Sequence, residues 1–243
     1  MNSKKYFFEC GELSFRQYER TETALVYGVV HNLGEDLKWA RMTLQFLERR
    51  YEIYRQNRLC LAEEPKRFDR FFPRFVEQKA DCESQRELLV EVVSDSGEDD
   101  RIIPLTDILD ADVKLGAEDL VELALQMFNL MMFVHMVDLC LSFRLENFGL
   151  VVSERRIVWL NWLEVSVGIN ILDEKLVEKQ ICEAAHNLLL LGRAELRLGR
   201  WEIKNLHSEL ELKIIETLLA GTQGIFPTAT EIYLHLCGVR TLL

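Results

Sequence analysis

Ser142, Arg144, Asn147, Asn161 and Trp162 are the residues whose types and spacing come nearest to a site in this chain. They fall in one stretch, LSFRLENFGLVVSERRIVWLNWL, from Leu141 to Leu163. A serine hydroxyl attacks a substrate only when a base takes its proton. No His or Lys lies in the local segment around Ser142, and no Gly-x-Ser-x-Gly frames it, which argues against a serine hydrolase. Asn147 and Asn161 offer amide oxygens, poorer magnesium ligands than carboxylates. Arg144 supplies a lone cation. Trp162, like Trp159, brings a large ring that either fills a cavity as a core aromatic or, left exposed, marks a partner-binding patch. The stretch holds polar groups at fixed spacing without an acid–base pair.

The elements around the stretch read clearly. Leu123, Met127, Leu130, Val134 and Val137 recur at helical spacing in a long amphipathic helix opening at Glu118-Asp119. A polar loop ends at Glu146-Asn147, and a hydrophobic hairpin follows, Phe148–Val152 and Ile157–Leu160. Upstream, Leu13–Tyr18 and Thr23–Val30 alternate as strands. Gly34-Glu35-Asp36 opens a helix that carries Leu37, Ala40, Leu44, Leu47 and Tyr51 at helical spacing. A charged loop at Glu63–Asp69 with Pro65 precedes two more strands, Arg74–Gln78 and Glu87–Val93. Ser94–Arg101 (SDSGEDDR) is an acidic linker, and Pro104–Asp110 a short helix. After Gly168 everything reads helical, near Asp173–Leu191, Glu202–Ala220 and Thr228–Leu236. The expectation is an α+β chain in three regions: 1–93 strand-rich with one helix, 94–101 a hinge, 102–243 mainly helical.

This order resembles a protein-kinase domain, with a small strand-rich lobe, a hinge and a helical lobe. The resemblance runs from about Leu13 to about Leu191. In a kinase an Asp five residues before the loop Asn orients the substrate hydroxyl, and the Asp of Asp-Phe-Gly holds magnesium. Those positions here read Ser142 and Asn161-Trp162-Leu163. Arg144 stands at the catalytic-loop Lys position. The first forty residues contain only Gly11, Gly28 and Gly34, with no Gly-x-Gly for a phosphate loop. The candidate third strand, ALVYGVV, has no Lys, and Lys38 falls on the next helix facing another way. Glu48 and Glu52, either of which could partner that Lys, read as solvated charges without it. LENFGLV resembles the divergent kinase-like family of the animal secretory pathway, matching at Glu146, Asn147 and Phe148. The resemblance implies a two-lobe fold with the catalytic groups removed, and it makes the five residues vestigial cleft positions.

Composition fits that reading. A net charge of -11 disfavours nucleic acid or an anionic membrane as the main partner, since phosphate contacts need clustered Lys and Arg. The six cysteines form no Cys-x-x-Cys pair and no metal-ligand spacing, and Cys140 reads as a small core residue. His135 and Asp138 share a helix face and read as a satisfied polar pair. Met127, Met131, Met132 and Met136 read as core, and Asp95, Glu98, Asp99 and Asp100 as a solvated hinge. The start has no apolar core of signal-peptide length, so a cytoplasmic location is expected, or the secretory pathway if the N-terminus is incomplete. The function expected is that of a pseudokinase without cofactor, metal or nucleotide, binding another protein as a scaffold or allosteric regulator. The alternatives are an unconventional nucleotide-dependent transferase using Asn147, Asn161, Glu164 and Arg144, or an unrelated helical interaction domain.

Overall fold

Alternation in the first hundred residues becomes an antiparallel sheet. The computed structural model describes residues 7–10, 13–20, 24–31, 34–57, 68–81, 85–94, 101–111, 115–162, 166–167, 174–192, 195–197, 200–202 and 208–241. Strands β1 (Phe7–Cys10), β2 (Leu13–Arg20), β3 (Ala24–His31), β4 (Arg74–Asp81) and β5 (Gln85–Val93) lie in the order β1-β2-β3-β5-β4. Leu88, Val90 and Val92 on β5 are wholly buried, the two-residue period of a strand with one face on a core. Helix α1 (Gly34–Asn57) joins β3 to β4. It buries Ala40, Leu44, Leu47, Tyr51 and Tyr54, spaced three or four apart on one face. Most of the acidic linker (95–100), the charged loop at 63–67, and the Leu37 and Lys38 side chains lie outside what is described.

A second sheet follows, of β6 (Ile102–Pro104), β8 (Phe148–Val151) and β9 (Arg156–Trp159) in the order β6-β8-β9. Gly149 sits where β6 crosses close: a Cβ there would come within 2.5 Å of Ile102 and 2.7 Å of Leu160. Between β6 and β8 run α2 (Leu105–Asp110), α3 (Ala117–Met136) and the short β7 (Leu139–Cys140), which pairs with β10 (Ser166–Val167). Then come α4 (Glu174–Leu191), the hairpin of β11 (Glu195–Arg197) and β12 (Arg200–Glu202), α5 (Glu209–Thr222) and α6 (Ala229–Arg240). Each of the last two helices opens on a Ser/Thr-x-x-Glu capping sequence. Ser208 accepts from the Glu211 N–H at 3.1 Å, and Thr228 from the Glu231 N–H at 3.3 Å.

The architecture is α+β. The chain divides into two compact units: Met1–Leu105 with Glu146–Val165, and Thr106–Leu145 with Ser166–Leu243. The first is strand-rich with one long helix, the second mainly helical. The hairpin 146–165, which chain order places in the helical region, clusters instead with the strands. Its ties explain why: β8 pairs with β6, and the Trp159 N–H donates to the Phe71 carbonyl at 2.6 Å.

Three expectations are corrected. The region after Gly168 is not all helix: β11 and β12 pair as Leu196↔Trp201, Glu202 is strand, and α5 starts at Glu209. Met127, Met131 and Met132 are core, but Met136, at the last position of α3, is 59% exposed. Cys140 is only half-buried.

Candidate functional site

In the strand-rich unit, the register of one hairpin decides what its flanking residues do. Phe148 faces Trp159 across β8 and β9. One step further out, the Asn147 carbonyl accepts the N–H groups of Leu160 at 2.9 Å and Asn161 at 3.3 Å. The side chains continue the contact, with Asn161 Nδ2 donating to Asn147 Oδ1 at 2.9 Å. Both residues are fully buried. Among the described residues nothing donates to Asn161 Oδ1. This bond joins the two amides, and neither can serve as a base at neutral pH.

Trp162 is fully buried, with its indole N–H donating to the Ala40 carbonyl of α1 at 2.8 Å. Its ring meets Phe15 edge-on, centroids 6.2 Å apart. Trp159, equally buried, packs on Phe72 and Phe148 at 5.3 and 6.5 Å. Of the two roles open to these rings, both are core. Cys10 on β1 donates its thiol hydrogen to the Glu146 carbonyl at 2.9 Å, fastening the turn that carries Asn147.

Arg156 is a buried cation of this unit that motif reading passes over. Its guanidinium donates to Glu154 and to the Arg70 carbonyl, each at 2.8 Å, and to the Val93 carbonyl. Arg70 reaches the same Glu154 oxygen at 2.7 Å. Burial lowers the Arg156 pKa while the Glu154 carboxylate opposes that shift. Arginine keeps its charge regardless, and here the charge ties the hairpin to the end of β5.

Ser142 and Arg144 belong to the helical unit, where α4 grips their loop by its backbone. Gln180, Glu183 and Asn187 lie three and four apart, on one face of α4. Gln180 Nε2 donates to the Leu141 carbonyl at 2.7 Å and lies 3.5 Å from Cys140 Sγ. Glu183 accepts the Phe143 N–H at 3.0 Å, and Asn187 donates to the Phe143 carbonyl at 2.7 Å. The Arg144 side chain is 61% exposed and stands 3.8 Å from Glu183. Ser142 is half-buried. The loop is thus positioned by polar side chains some forty residues later in the chain.

The His135 partner is also on α4. Its Nε2 lies 2.7 Å from Gln180 Oε1, and burial lowers its pKa, the Gln180 contact opposing. The expected pairing with Asp138 does not occur. Helix α3 ends at Met136, and Asp138 is exposed in a left-handed conformation at φ 53°, so helical spacing no longer holds.

The fold therefore brings Asn147 and Asn161 together, with Trp162 following, and seats Ser142 and Arg144 in the other unit. Glu164 and Leu163 lie outside the described residues. Glu48 is exposed, and Glu52 stands 3.5 Å from Arg55 as a surface pair. Among the described residues no three His, Cys, Asp or Glu side chains gather as metal ligands. No described helix is long and apolar enough to cross a membrane.

No family model matches the chain, and no curated protein does. Among solved structures it is similar to a divergent kinase of Toxoplasma that lacks the glycine-rich loop and regulates membrane ultrastructure of the parasitophorous vacuole. Identity is 15% and the TM-score 0.46, over 86% of this chain and 66% of that one.

Proposed function

We propose that this chain is a pseudokinase, a kinase-like domain without phosphoryl transfer that acts by binding another protein as a scaffold or allosteric regulator. The observation that carries the reading is the buried hydrogen bond between Asn161 and Asn147. At the two positions where the family resemblance expects metal-holding groups, neutral amides bind each other and no carboxylate is supplied. The sequence adds the missing strand Lys and the missing Gly-x-Gly. The experiment is calorimetry and thermal shift with millimolar ATP and magnesium, since a ligand that binds the native state must stabilise it. No heat and no shift support the proposal, and micromolar affinity ends it.

One observation favours a second reading. Asn161 Oδ1 is a buried acceptor without a donor among the described residues, and a cation or a ligand hydroxyl could engage it. That is the feature an unconventional nucleotide-dependent transferase would use. A metal-dependent thermal shift lost in Asn161→Leu would select it.

A further inference from the structure

Helix α1 turns an apolar stripe outward as well as inward. Met42, Phe46, Arg49 and Ile53 recur four, three and four residues apart, which aligns them on one face. That face lies opposite the buried Ala40, Leu44, Leu47 and Tyr51. Met42 is 52% exposed and Ile53 51%, with Phe46 half-buried between them. From Met42 to Ile53 the stripe runs about 16 Å along the axis.

The charges beside the stripe decide what kind of surface fits it. Between Arg41 and Gln56 the helix carries four arginines and two glutamates, a net +2 in a chain of net -11. Glu52 already stands beside Arg55 at 3.5 Å. Arg49 is exposed within the stripe, and Arg41 and Arg50 flank it on either side. Among the described residues none of these three arginines meets a carboxylate. Two of them lie over rings instead. The Arg50 guanidinium is 5.2 Å from the Phe46 centroid, and that of Arg41 is 4.5 Å from the centroid of Phe75 on β4. A guanidinium stacked by its face keeps its N–H fork in the plane, able to take a carboxylate through two parallel bonds. Arg, Met and aromatic residues are enriched at the centres of protein interfaces and Lys is depleted, and this stretch has no Lys. A nucleic-acid backbone needs denser cations than the two glutamates leave here, and it offers nothing apolar to Met42 and Ile53. A polypeptide with apolar side chains between carboxylates answers both.

We propose that the outward face of α1 is a docking surface for an acidic amphipathic segment of a partner protein. Its apolar side chains meet Met42, Phe46 and Ile53, and its carboxylates meet Arg49 and Arg50. This names the class of partner for the protein-binding reading and rests on it. Nucleotide calorimetry tests that reading by itself, so the two can fail separately. The probe is a displayed library of random peptides of about sixteen residues, long enough to run the stripe as a helix, selected on the whole chain. Retained peptides should carry apolar residues at helical spacing with an excess of Asp and Glu. Their dissociation constants, read by fluorescence anisotropy, should rise roughly tenfold or more in Ile53→Ser and, separately, in the double variant Arg49→Glu, Arg50→Glu. The same charge change at the exposed Lys175 and Lys179 of α4 should leave binding within about twofold. All the substituted side chains are exposed or half-buried, and melting curves establish that each variant folds. A selection that retains no peptide overturns the proposal, as do retained peptides without an acidic excess. Equal losses in the α1 and α4 variants overturn it too. So does a wild-type dimer that Ile53→Ser abolishes, which gives the face to a second copy.

Discussion

Gln180 accepts from His135 through one end of its amide and donates to the Leu141 carbonyl through the other, both at 2.7 Å. The acceptor is useful only to a ring nitrogen that carries a proton, and burial disfavours adding a second proton to the imidazole. The His135 pKa is held below its ordinary 6.5. The folded state therefore prefers the neutral ring, and the unfolded chain takes up a proton first as pH falls. Stability is full above about pH 6.5 and erodes below it, until the folded ring protonates in turn. Urea midpoints from pH 8 to 5 should decline more steeply for the wild type than for His135→Leu; parallel curves would show that His135 does not contribute.

Asn147→Ala should cost about 1–3 kcal/mol, because it strands the buried Asn161 amide that now donates to it. The measurement is a chemical denaturation curve. If the proposed function holds, binding to a partner survives at temperatures where the variant is folded. A folded variant that loses a metal- or phosphate-dependent activity would make this region a working catalytic centre.

Leu130 is 1% exposed at the middle of α3. Leu130→Ala should destabilise by about 2–5 kcal/mol, as truncation of a buried leucine does, and lower the melting temperature by many degrees. A fall of a degree or less would show that this face of α3 carries no core.

Arg156→Met should be costlier than its charge alone suggests. It leaves Glu154, two backbone carbonyls and the tip of the hairpin without their common donor. Removing one partner of a buried ion pair costs about 3–5 kcal/mol. Arg70 still reaches Glu154, which places the expectation at the lower end. Equal melting temperatures for Arg156→Met and an exposed control such as Arg49→Met would refute it.

Much of this was legible in the sequence, for reasons that differ by element. Period-two alternation and turn residues located four strands of the large sheet but not β1, and three-and-four spacing located α1 and α3 (with Leu130 and Val134 in the core). The β11–β12 hairpin was misread as helix although Glu195-Leu196-Arg197 and Arg200-Trp201-Glu202 alternate around Gly199, a period-two signal three residues long. Strands of two residues, such as β7 and β10, show no period at all. The candidate residues were identifiable one by one, but the contact between Asn147 and Asn161 is a matter of hairpin register. The Gln180 and Glu183 grip on the 141–144 loop spans about forty residues with no local pattern to announce it. The Arg156 role depends on carbonyls, which sequence patterns do not mark.

The assignment of residues 146–165 to the strand-rich unit has a consequence for biosynthesis. The chain passes from one unit to the other at Leu105, at Leu145 and at Val165. Strand β6 has its partner β8 more than forty residues later, with α3 emerging in between. Neither unit is complete when its first segment leaves the ribosome. The early sheet must wait for the Arg156 anchor, and β6 for its partner strand, during the seconds that elongation takes at about 5–20 residues per second. Contacts of such sequence separation slow folding. A nascent chain stopped near residue 120 should be open to protease, and one carried past the hairpin should begin to resist it.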